Sequence, residues 1–381
     1  MRRVFVGALV LLASCSPPAA STGSPSPPTH SGKPSTSQLS TSIAPEPLGI
    51  LATAGWGVGP GSPDGHYAVY LAGKDGRVGA SIQANGPADL GLLTQYEVEP
   101  PLVNASNSRV YYLEGDAVVR FLLRDGTTGL ATHIPGNRHA RATFAVSPDD
   151  RRVAVSVIDY VTDGPGIAAP HASLHVYVED LSGGSHHVDI FSSDTLVEWP
   201  VGWHAGNLVI GTYGALYRPS GMSNYRRDWL GYHVVDPATG SRLATIGASS
   251  CGVVAMARAG AVCNVSGHDL SLQTWDGSSR TFPRSAGLLG GIVSPDGLRI
   301  AAQQPAASGP GAVVFATTDG PSHPVVPGNP LGWIDDTHLV FTSFSAANAL
   351  AIWDTDANTS VPIVSVPQGA NIIGTLPPGL N

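Results

Sequence analysis

VSPDG, Val293 to Gly297, separates two apolar runs, and the chain carries close copies of it: GSPDG at Gly61–Gly65 and VSPDD at Val146–Asp150. Proline presets one backbone angle of a tight turn, the aspartate caps nearby N–H groups, and glycine accepts positive φ freely. Each copy therefore reads as a turn joining two strands. Working outward, the chain offers a series of such turns, each ahead of a β-rich run. These are SPDGHYAVYLA (Ser62), NSRVYYLEG (Asn107), SPDDRRVAVSV (Ser147), HAGNLVIGT (His204), ARAGAVCNV (Ala257), SPDGLRIAAQ (Ser294) and DDTHLVFTS (Asp335). The starts are about 40 to 55 residues apart, in or slightly beyond the range of propeller blades.

A second series falls between them: Asn85, Arg124, Asp180, Asp236, Trp275, Thr318 and Asp354, each closing a strand-like run such as LHVYVED or ALAIWD. Two tight turns per repeat imply four strands, a to d from the axis outward. The chain is 381 residues long, with 13% charged residues, 46 Gly and 32 Pro, which disfavours helices and suits short strands and turns. The expected fold is all-β, a seven-bladed propeller of four-stranded antiparallel blades over residues 48–381. The blades resemble the SPDG-bearing repeats of the TolB and WD-repeat-like families, which implies a ring around a central channel. The runs assigned to strand a, TFAVS, VGW, GVVAM, GGIVS and LGW, are small or apolar, so the channel is expected to be narrow and free of charged ligands. Both PLGILAT and ANIIGT could supply the strand that closes the ring.

The N-terminus reads as an address. Arg2 and Arg3 precede an apolar run from Val4 to Ala13, the length of a signal-peptide core and too short to span a bilayer. Leu12-Ala13-Ser14-Cys15 resembles a lipobox, which implies a signal peptide over residues 1–14, lipidation of Cys15 (a palmitate-bearing lipoprotein) and attachment to the outer face of a bacterial cytoplasmic membrane. Residues 15–47 are dominated by Ser, Thr, Pro, Gly and Ala and read as a disordered tether. Together with the Gly, Ala and Pro content, this resembles actinobacterial lipoproteins. Cys251 and Cys263 would face each other across a turn near Ala257; for an exported protein a disulfide is expected, with two buried free thiols as the alternative.

A formal net charge of -8 gives no broad basic surface, so a nucleic-acid partner is not expected. No GxSxG elbow, HExxH or P-loop occurs, and no cofactor or metal is expected. Asp354, Asp356 and Asn358 imitate the start of a calcium loop, but Thr359 and Ser365 stand where its glycine and glutamate belong. His186 and His187 are consecutive and head a strand, so they point to opposite faces and cannot share a metal there.

Loop length carries the functional reading. Ile158–Ser173, with Tyr160 and His171, and Thr212–Gly231, with Tyr213, Tyr217, Arg218, Tyr225, Arg226, Arg227 and Trp229, are long b-to-c connections of neighbouring blades. Tyr, Trp and Arg supply much of the binding energy at interfaces, and long loops on rigid scaffolds carry function. The loops could equally pack onto the disc. The expected role is a non-catalytic, monomeric module that binds an envelope protein, peptide or glycan. The rival is a hydrolase, lyase or lactonase acting on a sugar or peptide at the channel mouth, and a third reading is a spacer with no ligand.

Overall fold

The computed structural model describes residues 45–53, 65–88, 101–161, 171–215, 231–247, 252–264, 267–304, 311–316, 326–344, 349–367 and 369–380. Their strands form seven antiparallel sheets, the blades of a β-propeller. Six sheets have four strands and one has three among the described residues.

The first blade takes β1 (Leu48–Ala52), β2 (His66–Ala72) and β3 (Val78–Asn85) from the start of the ring and β27 (Asn371–Leu376) from its end. Blade two is β4 (Val103–Ala105), β5 (Val110–Glu114), β6 (Val118–Leu122) and β7 (Thr128–His133). Blade three is β8 (Ala140–Val146), β9 (Arg152–Val161), β10 (His171–Asp180) and β11 (Val188–Ser193). Blade four is β12 (Leu196–His204), β13 (Asn207–Ala215), β14 (Gly231–Val235) and β15 (Arg242–Ile246). Blade five is β16 (Gly252–Ala257), β17 (Gly260–Asn264), β18 (Ser271–Gln273) and β19 (Ser279–Thr281). Blade six is β20 (Leu289–Val293), β21 (Arg299–Gln304) and β22 (Gly311–Ala316). Blade seven is β23 (Gly328–Trp333), β24 (His338–Ser343), β25 (Ala349–Asp354) and β26 (Thr359–Pro362).

Ring closure uses both candidate segments at once. β27 is the innermost strand of the first blade and pairs with β1, Leu48 opposite Leu376 and Ala52 opposite Asn371. The first blade is therefore out of phase with the turn series. Its Ser62–Gly65 motif lies in the connection between the second and third strands, and its outer hairpin turns at Gly73–Arg77, not at Asn85. The motif falls in another connection because the innermost strand of this blade comes from the far end of the chain.

Elsewhere the SPD turns do what their chemistry dictates. Ser147 Oγ donates to Asp149 and accepts from the Arg152 amide at 2.9 Å, and Ser294 Oγ repeats this with Asp296 and the Arg299 amide at 3.0 Å. The fourth position needs positive φ: Gly297 has φ 74° and Asp150 has φ 61°. An L-residue resists that conformation, so Asp150 needs compensation. Its carboxylate accepts Tyr111 Oη at 2.8 Å and Ser108 Oγ at 2.5 Å, both from blade two, with Arg109 at 3.5 Å. A strained turn thereby ties two blades together.

The blades pack face to face through apolar residues alternating along each strand, such as Val153, Val155 and Val157 towards blade two and Ala154 and Ile158 towards blade four. Two inner strands share a Gly-Trp device. Trp203 Nε1 donates to Ala145 O at 3.1 Å, and Trp333 Nε1 donates to Ile292 O at 2.9 Å, each to the inner strand of the preceding blade. The indole thus fills the space between blades and satisfies its own polar atom.

Candidate functional site

Seven inner strands surround a cavity of about 240 Å³ on the ring axis. Phe144 and Val146, Val201 and Trp203, Met256, Ile292, Leu331 and Ile372 contribute to its wall, as the small and apolar runs of strand a imply. No carboxylate, imidazole or cation belongs to the described lining. Two of its polar side chains are already occupied: Asn104 Oδ1 accepts the Val146 amide at 3.0 Å, and Thr375 Oγ donates to Pro377 O at 2.7 Å. Such a wall can desolvate an apolar group but offers no acid–base pair.

The two faces of the disc differ. On the face of the a-to-b turns, the segment after β27 leaves blade one and crosses to blade four. Pro378, Gly379 and Leu380 form part of the cavity wall, and Leu380 is buried. His204 Nδ1–H donates to Leu380 O at 2.7 Å, and the imidazole stacks on Trp275 with ring centroids 4.7 Å apart. Leu380 packs where Gly202 has no side chain, since a Cβ there would lie 2.5 Å from its Cδ1. Nothing in the sequence flagged this strap, whose partners lie 176 residues away.

The opposite face carries the long connections. β9 and β13 both run outward to it, and residues 162–170 and 216–230 join them to β10 and β14. Both are b-to-c connections in adjacent blades. Tyr217, Arg218, Tyr225, Arg226, Arg227 and Trp229 lie outside the described residues, as do Cys15 and Cys251. The backbone places Tyr213 in β13 opposite Val197, and His171 at the start of β10 opposite Val161. Tyr160 is described in full and is 5% exposed, packed with Leu174, Val176 and Trp199. Its ring belongs to the core between blades three and four. Cys263 is buried on β17 opposite Val253.

Beneath the loops the two blades are joined. Ser156 Oγ of blade three donates to Glu198 O of blade four at 2.9 Å. The Glu198 carboxylate is almost fully buried, accepts Thr212 Oγ at 3.3 Å and faces His233 Nε2 at 3.4 Å. Partnering of this kind is what makes a buried carboxylate tolerable. Leu196 and Leu289, at the starts of β12 and β20, are 40% and 51% exposed on this same face. Neither stood out in the sequence, because a leucine opening an inner strand looks like any core leucine.

No protein-family model matches the chain, and no curated protein matches it by sequence. Similar solved structures include acylaminoacyl peptidase of Pyrococcus horikoshii, at 10% identity over 79% of this chain and 51% of that one, with a TM-score of 0.46. Dipeptidyl peptidase 4 of Porphyromonas gingivalis is similar at 11% identity over 80% of this chain and 51% of that one, TM-score 0.45. TolB from Acinetobacter baumannii is similar at 11% identity over 85% and 66%, TM-score 0.34. The chain spans about half the length of the two peptidases. These likenesses concern the propeller fold alone.

Proposed function

We propose that this chain is a lipid-anchored propeller of a bacterial cell envelope that binds a protein, peptide or glycan partner through its loop face, without catalysis. The observation that carries the reading is the two long connections leaving one face in adjacent blades, which are joined to each other through Ser156 and Glu198. A rigid platform lowers the cost of ordering loops on binding, and an aromatic- and arginine-rich loop sequence suits a recognition surface. The apolar wall of the cavity also favours binding over turnover, because acid–base chemistry needs groups that it lacks among the described residues. The lipobox at Cys15 and the tether give the location.

A photoreactive residue at Tyr225, activated in the native envelope, tests this. The expected result is one identified partner that also binds the purified chain, with capture lost in the Tyr225→Ala, Arg226→Ala, Trp229→Ala variant at an unchanged unfolding midpoint. Capture of nothing specific, or a large fall in that midpoint, overturns the reading. Cys15→Ser should move the chain from the membrane fraction to the soluble fraction; retention in the membrane would reject the anchor.

A further inference from the structure

We propose that His175 on β10, Asp189 on β11 and His187, just ahead of β11 in blade three, bind a divalent transition-metal ion of the zinc class. Alternation puts His175, Tyr177 and Glu179 on one face of β10, and the register sets Tyr177 opposite Asp189, with His187 two positions earlier. His186 points elsewhere, to Asp180 at 2.7 Å, so the two consecutive histidines do not share a site. The second imidazole comes instead from the neighbouring strand.

The geometry converges on one atom. His175 Nε2 and His187 Nε2 each lie 2.9 Å from Asp189 Oδ1. Their ring centroids are 6.5 Å apart. A tetrahedral ion with Zn–N bonds of about 2.0–2.1 Å would hold two imidazole centroids roughly 5 Å apart, so a side-chain shift on the order of 1 Å brings both nitrogens onto one ion. No three His, Cys, Asp or Glu side chains among the described residues are already spaced for a metal, and this triad likewise needs that adjustment. Asp189, 72% exposed, can turn its carboxylate to become the third ligand, and solvent completes the shell.

The surroundings favour the ion. His187 Nδ1 faces Glu179 Oε2 at 3.5 Å, so a carboxylate can take the Nδ1–H and leave Nε2 to the metal. Both imidazoles rest on the buried Tyr177 ring, stacked on His187 at 4.6 Å and tilted against His175 at 5.5 Å, which limits their freedom before binding. With neutral imidazoles, the carboxylates of Asp189 and Glu179 bring two negative charges to a dication. Imidazole with one carboxylate suits zinc, copper and nickel rather than calcium.

The test uses the full chain freed of metal by a chelator, with cobalt(II) as the spectroscopic probe and zinc as the competitor. One cobalt per chain with tetrahedral visible absorption is expected, displaced by zinc. His175→Ala and His187→Ala should each weaken binding by about tenfold or more. His186→Ala should leave it unchanged, and all variants should keep the β-rich circular dichroism of the parent. Absence of stoichiometric binding overturns the proposal, as does undiminished binding by the His175→Ala, His187→Ala double variant.

Discussion

Replacing Asp150 by glycine sets two opposing effects against each other. The residue holds φ at 61°, and an L-residue in the left-handed region costs about 1–2 kcal/mol, somewhat less for aspartate, so glycine relieves roughly 1 kcal/mol. The same change deletes hydrogen bonds from Tyr111 Oη and Ser108 Oγ to a charged acceptor, each worth about 1.5–3 kcal/mol. Arg109 at 3.5 Å adds little, because that pair is partly exposed. Tyr111 makes the loss worse: burial, then the Asp150 carboxylate, hold its hydroxyl neutral well above the usual tyrosine range, and it would be left part-buried without that acceptor. The balance is a net destabilisation of about 2–5 kcal/mol for Asp150→Gly. Asp150→Asn, which tolerates the backbone and keeps one acceptor, should cost less. Urea unfolding of Asp150→Gly, Tyr111→Phe and the double variant measures this, with a coupling of about 1–2 kcal/mol expected between the two sites. A gain in stability for Asp150→Gly, or additive single changes, would refute the view that this strained turn is retained for its ties to blade two.

Three further outcomes are expected. Gly332→Val would place a Cβ 2.7 Å from Ile372 Cγ2 on the closing strand, so it should cost about 1–3 kcal/mol and speed amide exchange in β27 and β1 ahead of the other blades. The disulfide expected between Cys251 and Cys263 should show as no free thiol at either position in denatured, non-reduced protein; a loop of about a dozen residues makes its loss worth roughly 3 kcal/mol, and titration of two thiols would reject it. The Asp189 and Glu179 carboxylates raise the pKa of His187, and the histidines lower that of Asp189. The His187 contribution is complete below its ordinary value of 6.5 and is lost as pH rises through the raised value, whereas that of Asp189 is complete above 3.8 and is lost as pH falls through the lowered one. Metal-free parent should therefore gain on His187→Ala between those values and lose the advantage in alkaline buffer, a difference that unfolding midpoints across pH would reveal or deny.

Local chemistry made the propeller legible. Ser-Pro-Asp followed by a residue tolerating positive φ makes the turns at Ser147 and Ser294, and the small, apolar runs ahead of them line the axis as expected. What local chemistry lacks is the identity of the partner strand. Ser62–Gly65 has the right residues for an a-to-b turn yet sits in another connection, because phase in blade one is set by the pairing of Leu48 with Leu376. The same limit hid the strap, fixed by a hydrogen bond from His204 to Leu380 O, and hid His175 as the companion of His187. Tyr160 looked like a loop aromatic, but strand β9 runs one turn of the pleat further than the spacing suggested and carries the ring into the core. Each of these depends on contacts between strands that sequence order leaves apart.

The closing strand also fixes where the chain enters the ring. β1 begins at Leu48 beside Leu376, and Arg124 donates there to the carbonyls of both Glu46 and Leu376, at 2.6 Å and 2.7 Å. The chain thus enters the ring on the face of the a-to-b turns, opposite the long connections. Glu46 and Leu48 are therefore the points at which a pull on the ring from its N-terminal side would take hold. Tension on that hold runs along β1, which is hydrogen-bonded on one side to β27 and on the other to β2, so the load is shared in shear across two ladders instead of peeling an edge strand one bond at a time.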